Sequence, residues 1–541
     1  MIVDNGPIHR SKKVKKFLAH NNWVKLYFLP SYSPEYNPIE LFWKWLKRTV
    51  HGTRSYAGIQ ELIKKLRQVV WHYNDMRNLF LLFILTLFAC HPALAQQGYI
   101  SSFQSAKIIA NAPLLERQAN LICVYTDPKG NVYKDIVLED IAGYWINSPH
   151  RMWDPIGIES MQTGVFIPDA KYSYNEIISD CKARIAAKSS QDVLVGLYTQ
   201  KGWTNFTHDV YFMDAQVQTP YPFKRMIVFG DSLSDNSNDF RYISVLMAWK
   251  FGGVYWNKRF SNGLVWADWV VGYKTNTELG SGLDIPSENY AFGGAFSIGE
   301  NEHIIDSLAD QVSDYFSYID NNGKINLSAD VPHTLYSLLI GGNDFLYTDH
   351  SPQLVATEVR DQMERLIARG ARYFLIPVFP DVSQSPLAKE RHLVTKLQRD
   401  VREYNVALQT NINEVIQENA AKGITIIVLR PDINQYLQTL IRPVAENNFG
   451  FVTDKACMID GSVCQEPAKY LFWDGLHPNS TLACFMGKKI TTYIQVALHM
   501  PETYKTANEQ QLTEDEVDKI WIKQCEYSYV HLIIWKKIHK S

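Results

Sequence analysis

Four short strings in the second half of the chain hold side chains able to attack a carbonyl and move a proton. In KRMIVFGDSLSDNSNDF an apolar run, Met226–Phe229, delivers a polar turn with Ser232. A hydroxyl at the exit of a buried strand sits where the backbone N–H groups of the following turn converge. In YLFWDGLHPN, Asp474 and His477 are three residues apart. That offset on a loop lets the carboxylate hold one imidazole nitrogen while the other faces a hydroxyl such as Ser232. Between them lie NYAFGGAF, with Gly294, and LLIGGNDFL, with Asn343. Each string alone has an ordinary reading: a serine caps helices, Gly-Gly and Asn-Asp make turns, and His477 is one of 15 histidines. Ordered along residues 224–479, they point together to nucleophilic acyl transfer through Ser232, His477 and Asp474. There is no CxxC pair, no HExxH and no glycine-rich phosphate loop, and Cys457 to Cys464 is too wide for a usual zinc knuckle. Neither metal nor cofactor is expected.

Positioning these groups takes a sheet. Buried-strand patterns at 225–229, 336–341, 372–378 and 424–429 alternate with helical ones such as SPQLVATEVRDQMERLIARGA. Alternation of this kind predicts an α/β fold with a doubly wound, flavodoxin-like parallel sheet.

The tetrapeptide GDSL, followed by the other blocks in order, resembles the GDSL, or SGNH, family of esterases and lipases over residues 222–498. The resemblance implies the same fold. It also implies an oxyanion hole made by the N–H groups of Ser232 and Gly294 and the side-chain amide of Asn343. RFSNGLVWADWVV, the two cysteines upstream and the run from Cys457 through Cys464 into YLFWDGLHPN are similar to the bacterial thermolabile haemolysin and glycerophospholipid–cholesterol acyltransferase branch. That branch implies a phospholipid or lysophospholipid substrate met at a membrane surface, with a sterol as acyl acceptor in some members. A secreted short-chain carboxylesterase is the plainer alternative, and a non-catalytic membrane-binding toxin is one of another class.

MRNLFLLFILTLFACHPALAQQ, residues 76–97, has a basic start at Arg77, an apolar run and a small-residue motif Ala93-Leu94-Ala95. This is the pattern of a secretory signal cleaved near Ala95. Its apolar run is shorter than the ~20 residues that span a bilayer. Bacterial secretion is therefore expected, and with it an oxidising surrounding in which cysteines pair. Cys123 and Cys181 are candidates for one disulfide and Cys457 and Cys464 for another, the latter pinning the loop before Asp474. Cys484 is expected to be buried and free, and Cys525 has no evident partner. Residues 96–221, with strand-like LICVYTD, DVLVGLYTQ and HDVYFMD, predict a small β-rich accessory domain. The hydrolase domain then covers 222–500, and residues 501–541 form a tail of unassigned role.

Charge separates the first 75 residues from the rest. They carry 13 Lys and Arg against 5 Asp and Glu, whereas the remainder carries 41 against 51. A basic block of this kind suits nucleic acid. VDNGPIHR and LYFLPSYSPEYNPIELFW resemble the last part of a mariner-type DDE insertion-sequence transposase, with Asp4 and Glu40 as its second and third acids. The first acid and its strands are not in this stretch, so residues 1–75 are expected to be an inert remnant with no functional nucleic-acid binding, and Met76 the true beginning.

Overall fold

The computed structural model describes residues 2–3, 27–28, 115–127, 132–147, 164–200, 207–210, 212, 217–236, 255–256, 259–272, 282–299, 305–320, 331–441, 450–502 and 508–527. The chain divides into a unit of residues 1–99 and one of residues 100–541. In the first, β1 (Ile2–Val3) pairs in parallel with β2 (Tyr27–Phe28). Asp4, Glu40 and the signal expected at 76–95 lie outside the described residues.

The second unit begins with a closed barrel. Its strands are β3 (Leu115–Thr126), β4 (Val132–Asn147), β5 (Gly164–Pro168), β6 (Val193–Gln200) and β7 (Thr207–Val210), joined in the order β3-β4-β5-β7-β6. Closure leaves no strand edge open. Helix α1 (Tyr174–Lys188), between β5 and β6, starts with a capping box in which Ser173 and Glu176 exchange hydrogen bonds. Its residues Ile177, Ile178, Cys181 and Ile185 enter the barrel's buried cluster, and Cys181 is disulfide-bonded to Cys123 of β3. Strand periodicity makes β3 serve two cores. Leu121, Cys123 and Tyr125 face the barrel cluster, while Ile122 and Val124 join the larger core of the domain that follows.

That domain is built on a parallel sheet. Its strands are β8 (Arg225–Gly230), β9 (Ser287–Asn289), β10 (Thr334–Leu339), β11 (Tyr373–Leu375) and β12 (Ile427–Leu429), in the order β12-β11-β10-β8-β9. The chain leaves β8 toward one edge, returns and continues toward the other, so the order reverses between β8 and β10. The crevice at the carboxyl ends of those two strands is where an open α/β sheet binds its ligand. Every residue of β8 and β10 is buried, which explains their continuous apolar reading.

The helices pack in two groups. In the first, α3 (Leu308–Asp320) and α7 (Val394–Ala420) both pack on α5 (Pro352–Ala368), and the short α6 (Pro386–Glu390) packs on α7. In the second, α9 (Ser480–Ala497) packs on α2 (Trp266–Val271), α8 (Ile433–Ile441) and α10 (Glu514–Tyr527). The doubly wound α/β expectation is met. The unforeseen strand is β9, whose Ser-Glu-Asn lacks an apolar run. Its Asn289 is buried because the side-chain amide donates to Ser234 O (2.7 Å) and its oxygen accepts from Ala291 N (2.9 Å). No described helix is long and apolar enough to cross a membrane.

Candidate active site

Gly230 ends β8 with φ +155°, and a Cβ there would lie 2.4 Å from Leu339 O on β10. Only glycine lets the two strands stay this close as the chain turns. Gln311 of α3 closes both backbone groups of Gly230, accepting from its N–H (2.9 Å) and donating to its carbonyl (2.8 Å). The turn then tightens as Ser234 N and Asp235 N donate to Asp231 O, each at 3.0 Å. Ser232 at its crest is 6% exposed.

From the far end of the chain, β16 (Tyr470–Phe472), paired in parallel with β13 (Val452–Ala456), brings in the loop of Asp474 and His477. His477 Nε2 lies 2.7 Å from Ser232 Oγ, and its Nδ1 lies 2.7 Å from Asp474 Oδ2. An ionised carboxylate only accepts, so Nδ1 carries the proton and Nε2 is free to accept from the serine. Asp474 Oδ1 takes the N–H groups of Leu476 (2.8 Å) and His477 (2.7 Å), and Oδ2 takes the Tyr255 hydroxyl at 2.6 Å. Burial opposes ionisation of Asp474. The nearby His477 and these donors outweigh it and hold the carboxyl at about 2. Burial likewise disfavours the imidazolium of His477, yet Asp474 prevails and raises its pKa above the ordinary imidazole value. Asp231, next to the serine, is pushed up to about 7 by burial, against the N–H of Leu233 and the charge of His477.

Gly294 follows β9 with φ +80°, and Asn343 lies in α4 (Gly342–Tyr347) just after β10. Asn343 Nδ2 donates to Ala295 O (3.0 Å), and Asp344 accepts from both the N–H and the hydroxyl of Ser297, each at 2.9 Å. These bonds bolt the Gly294 loop to the start of α4. Gly293 N is tied to Asp235 Oδ2 at 2.9 Å, and a Cβ on Gly342 would lie 3.6 Å from Asp231 Oδ2. All four strings therefore meet at one sheet edge, with Ser232, His477 and Asp474 in a continuous hydrogen-bonded line.

Cys457 and Cys464 are bonded across the hairpin of β14 (Met458–Ile459) and β15 (Ser462–Val463). Cys457 N donates to Phe472 O (3.1 Å) and Met458 N to Trp473 O (2.7 Å), so the stapled hairpin holds the strand that presents Asp474. The expectation of a free Cys484 is corrected, because its sulfur is bonded to Cys525. Helix α10 lies on α9 and buries Val517, Trp521 and Cys525. Their spacing of four was the helical signal to be read in that tail. Tyr255 and Phe260 had no such signal, since Tyr255 stands 219 positions from the aspartate it touches. Among the described residues no three or more His, Cys, Asp or Glu form a metal-holding group.

Residues 226–490 match the family of GDSL-like lipases and acylhydrolases, and residues 1–63 match that of the DDE superfamily endonucleases. The thermolabile hemolysin of Vibrio parahaemolyticus is 25% identical over 374 residues, which cover 65% of this chain and 79% of that protein. A phosphatidylcholine-sterol acyltransferase of Aeromonas hydrophila is 27% identical over 183 residues, 32% of this chain and 49% of the relative. At the other end, an uncharacterized 39 kDa protein of insertion element IS630 from Shigella sonnei is 33% identical over 67 residues, 12% of this chain and 20% of the relative. Residues 226–490 thus form a GDSL-like lipase/acylhydrolase domain, and the chain is an enzyme of the esterase and lipase type.

Proposed function

We propose that the chain is a secreted serine hydrolase that removes acyl groups from phospholipids or lysophospholipids at a membrane surface. The observation that carries this reading is the line Ser232 Oγ–His477 Nε2, His477 Nδ1–Asp474 Oδ2, each step 2.7 Å. His477 takes the proton of Ser232 as Oγ attacks the ester carbonyl. The negative charge then forms on the former carbonyl oxygen, toward the N–H groups of Ser232 and Gly294 and the Asn343 amide, each donor worth about 3 kcal/mol in the transition state. His477 returns the proton to the departing lysolipid alcohol, leaving an acyl-serine. Water attacks that ester in the second half, with the same proton relay in reverse, and a bound sterol hydroxyl in place of water gives acyl transfer.

Two relatives support a lipid substrate, one named a hemolysin and the other a phosphatidylcholine-sterol acyltransferase. Secretion is inferred from the signal pattern at 76–95 and from three disulfides, which persist outside the reducing cytosol. In this reading residues 96–221 are the accessory domain, 222–500 the hydrolase, and 1–75 a transposase-like segment. Ser232→Ala is expected to abolish release of fatty acid from phosphatidylcholine vesicles while leaving the unfolding transition unchanged. Near-parental turnover in that variant would sink the assignment. The alternative, a short-chain carboxylesterase, predicts activity confined to short soluble esters in a chain-length series with a lysophospholipid competitor.

A further inference from the structure

Asp474 Oδ2 is shared by two donors from distant parts of the chain, His477 Nδ1 at 2.7 Å and the Tyr255 hydroxyl at 2.6 Å. Burial and the adjacent carboxylate push the Tyr255 pKa far above the usual phenol range, so its proton stays in place. Tyr255 begins a segment that grips the loop of Asp474 and His477 at further points. The Phe260 ring lies 5.0 Å from that of His477, Ser261 Oγ donates to Pro478 O (3.0 Å), and Asn262 Oδ1 accepts from Ser480 N (2.7 Å). The segment is folded back on itself, with Trp256 N on Ser261 O (2.9 Å) and Arg259 N on Trp256 O (3.0 Å). Arg259, 1% exposed, makes a two-pronged bond to Asp268 of α2 (Nε to Oδ2 2.7 Å, Nη2 to Oδ1 3.0 Å). Tyr198 of β6 lies near that guanidinium and shares the larger buried core with Trp256 of the segment. A chain of contacts thus runs from the barrel to the carboxylate behind His477.

We propose that Tyr255 is a positioning residue of the Ser232–His477–Asp474 relay, and that its segment, anchored on α2 through Arg259 and packed in the same core as Tyr198 of the barrel, is the brace that keeps the Asp474 carboxylate turned toward the imidazole. The inference rests on reading those three residues as the catalytic triad. Its chemistry is specific. A second donor on Oδ2 fixes the plane of the carboxylate and draws off part of its charge. Held this way, the imidazole is basic enough to take the Ser232 proton and still gives it back to the leaving alcohol. Removing the hydroxyl leaves more charge on Oδ2, which favours the imidazolium. The other ionisable groups around the pair are Asp231 beside Ser232, Asp344 beyond it, and Tyr347 with Arg391 on the side of Asp474; all are unchanged by the substitution.

The test compares wild type, Ser232→Ala, Tyr255→Phe and Tyr198→Phe as full chains, by pH–rate profiles on a soluble chromogenic ester. For Tyr255→Phe, kcat is expected to fall about 3–10-fold with KM nearly unchanged. The midpoint of the acid limb of kcat/KM is expected to move up by about half a unit to one unit. Loss of packing alone lowers the rate without moving that midpoint. Tyr198→Phe, far from the reacting atoms, is expected to lower kcat by a smaller factor at unchanged KM. An unmoved acid limb in Tyr255→Phe beside an inactive Ser232→Ala overturns the role of the tyrosine and leaves the triad standing. Wild-type kcat in Tyr198→Phe removes the barrel from the brace. Activity surviving in Ser232→Ala overturns the triad reading itself.

Discussion

Gly294 occupies the left-handed region at φ +80°, and a Cβ there would come 3.2 Å from Ile305 Cδ1. A side chain strains the backbone and crowds the loop whose N–H faces the proposed oxyanion. Gly294→Ala is therefore expected to lower kcat about 10²–10³-fold, as loss of one oxyanion donor does, with KM little changed. The pH dependence follows from the signs. His477 must be neutral to accept the serine proton, and its pKa lies above the ordinary imidazole value because Asp474 outweighs burial. Activity should rise with pH through that raised midpoint. Asp474, held at about 2, stays ionised throughout. Asp474→Asn should lower the midpoint and cut kcat about 10⁴-fold, seen in initial rates from pH 5 to 9. An acid limb unmoved in that variant would detach it from His477. The proposed reacting groups could be named from the sequence because their chemistry is carried by residue type in short fixed strings, and the structure brings Ser232, His477 and Asp474 together. Tyr255, Ser297 and Asp344 were not, because a supporting hydrogen bond leaves no local pattern and its partner lies tens or hundreds of positions away.

Among the elements, the buried strands read well, because β8 and β10 are buried on both faces and mostly apolar. Strand β9 escaped notice because its polar side chains are buried by making hydrogen bonds. Helix α10 is held to α9 by the Cys484–Cys525 bond, which closes 41 positions of chain. In the chain-entropy account that closure contributes about 4 kcal/mol. Cys525→Ser should lower the denaturant midpoint accordingly and leave kcat at the optimum unchanged; equal midpoints would mean that the sulfurs add nothing. Between the same helices Lys488 is buried, its Nζ 3.1 Å from Gln524 Oε1. Burial brings its pKa down to about 7, against the pull of Glu509. The unfolded chain keeps that proton up to about 10.4. Stability is therefore reduced most below pH 7 and recovers as pH rises from there toward 10. Lys488→Met is expected to raise the melting temperature at pH 6 and to lose that advantage near pH 10, as a thermal melt at each pH would report.

For the whole molecule, composition separated a basic opening from an acidic body, and the periodicity of the body gave its layers. How the barrel joins the hydrolase was beyond such a reading, since alternate residues of one strand, Ile122 against Cys123, belong to different cores. If residues 76–95 direct export, the mass of the secreted product should place its first residue near Gln96; a product retaining residues 1–75 would overturn that proposal. The line from Ser232 to His477 joins positions 245 apart, and two of the three disulfides lie on the elements that hold the histidine side. The order of synthesis then becomes an order of arming. A nascent chain has made its nucleophile long before the base that activates it, and reducing surroundings leave the hairpin and the last helix unstapled. The proposed relay is complete only once the chain has been made past His477, so the hydroxyl and the base that would activate it meet late in synthesis.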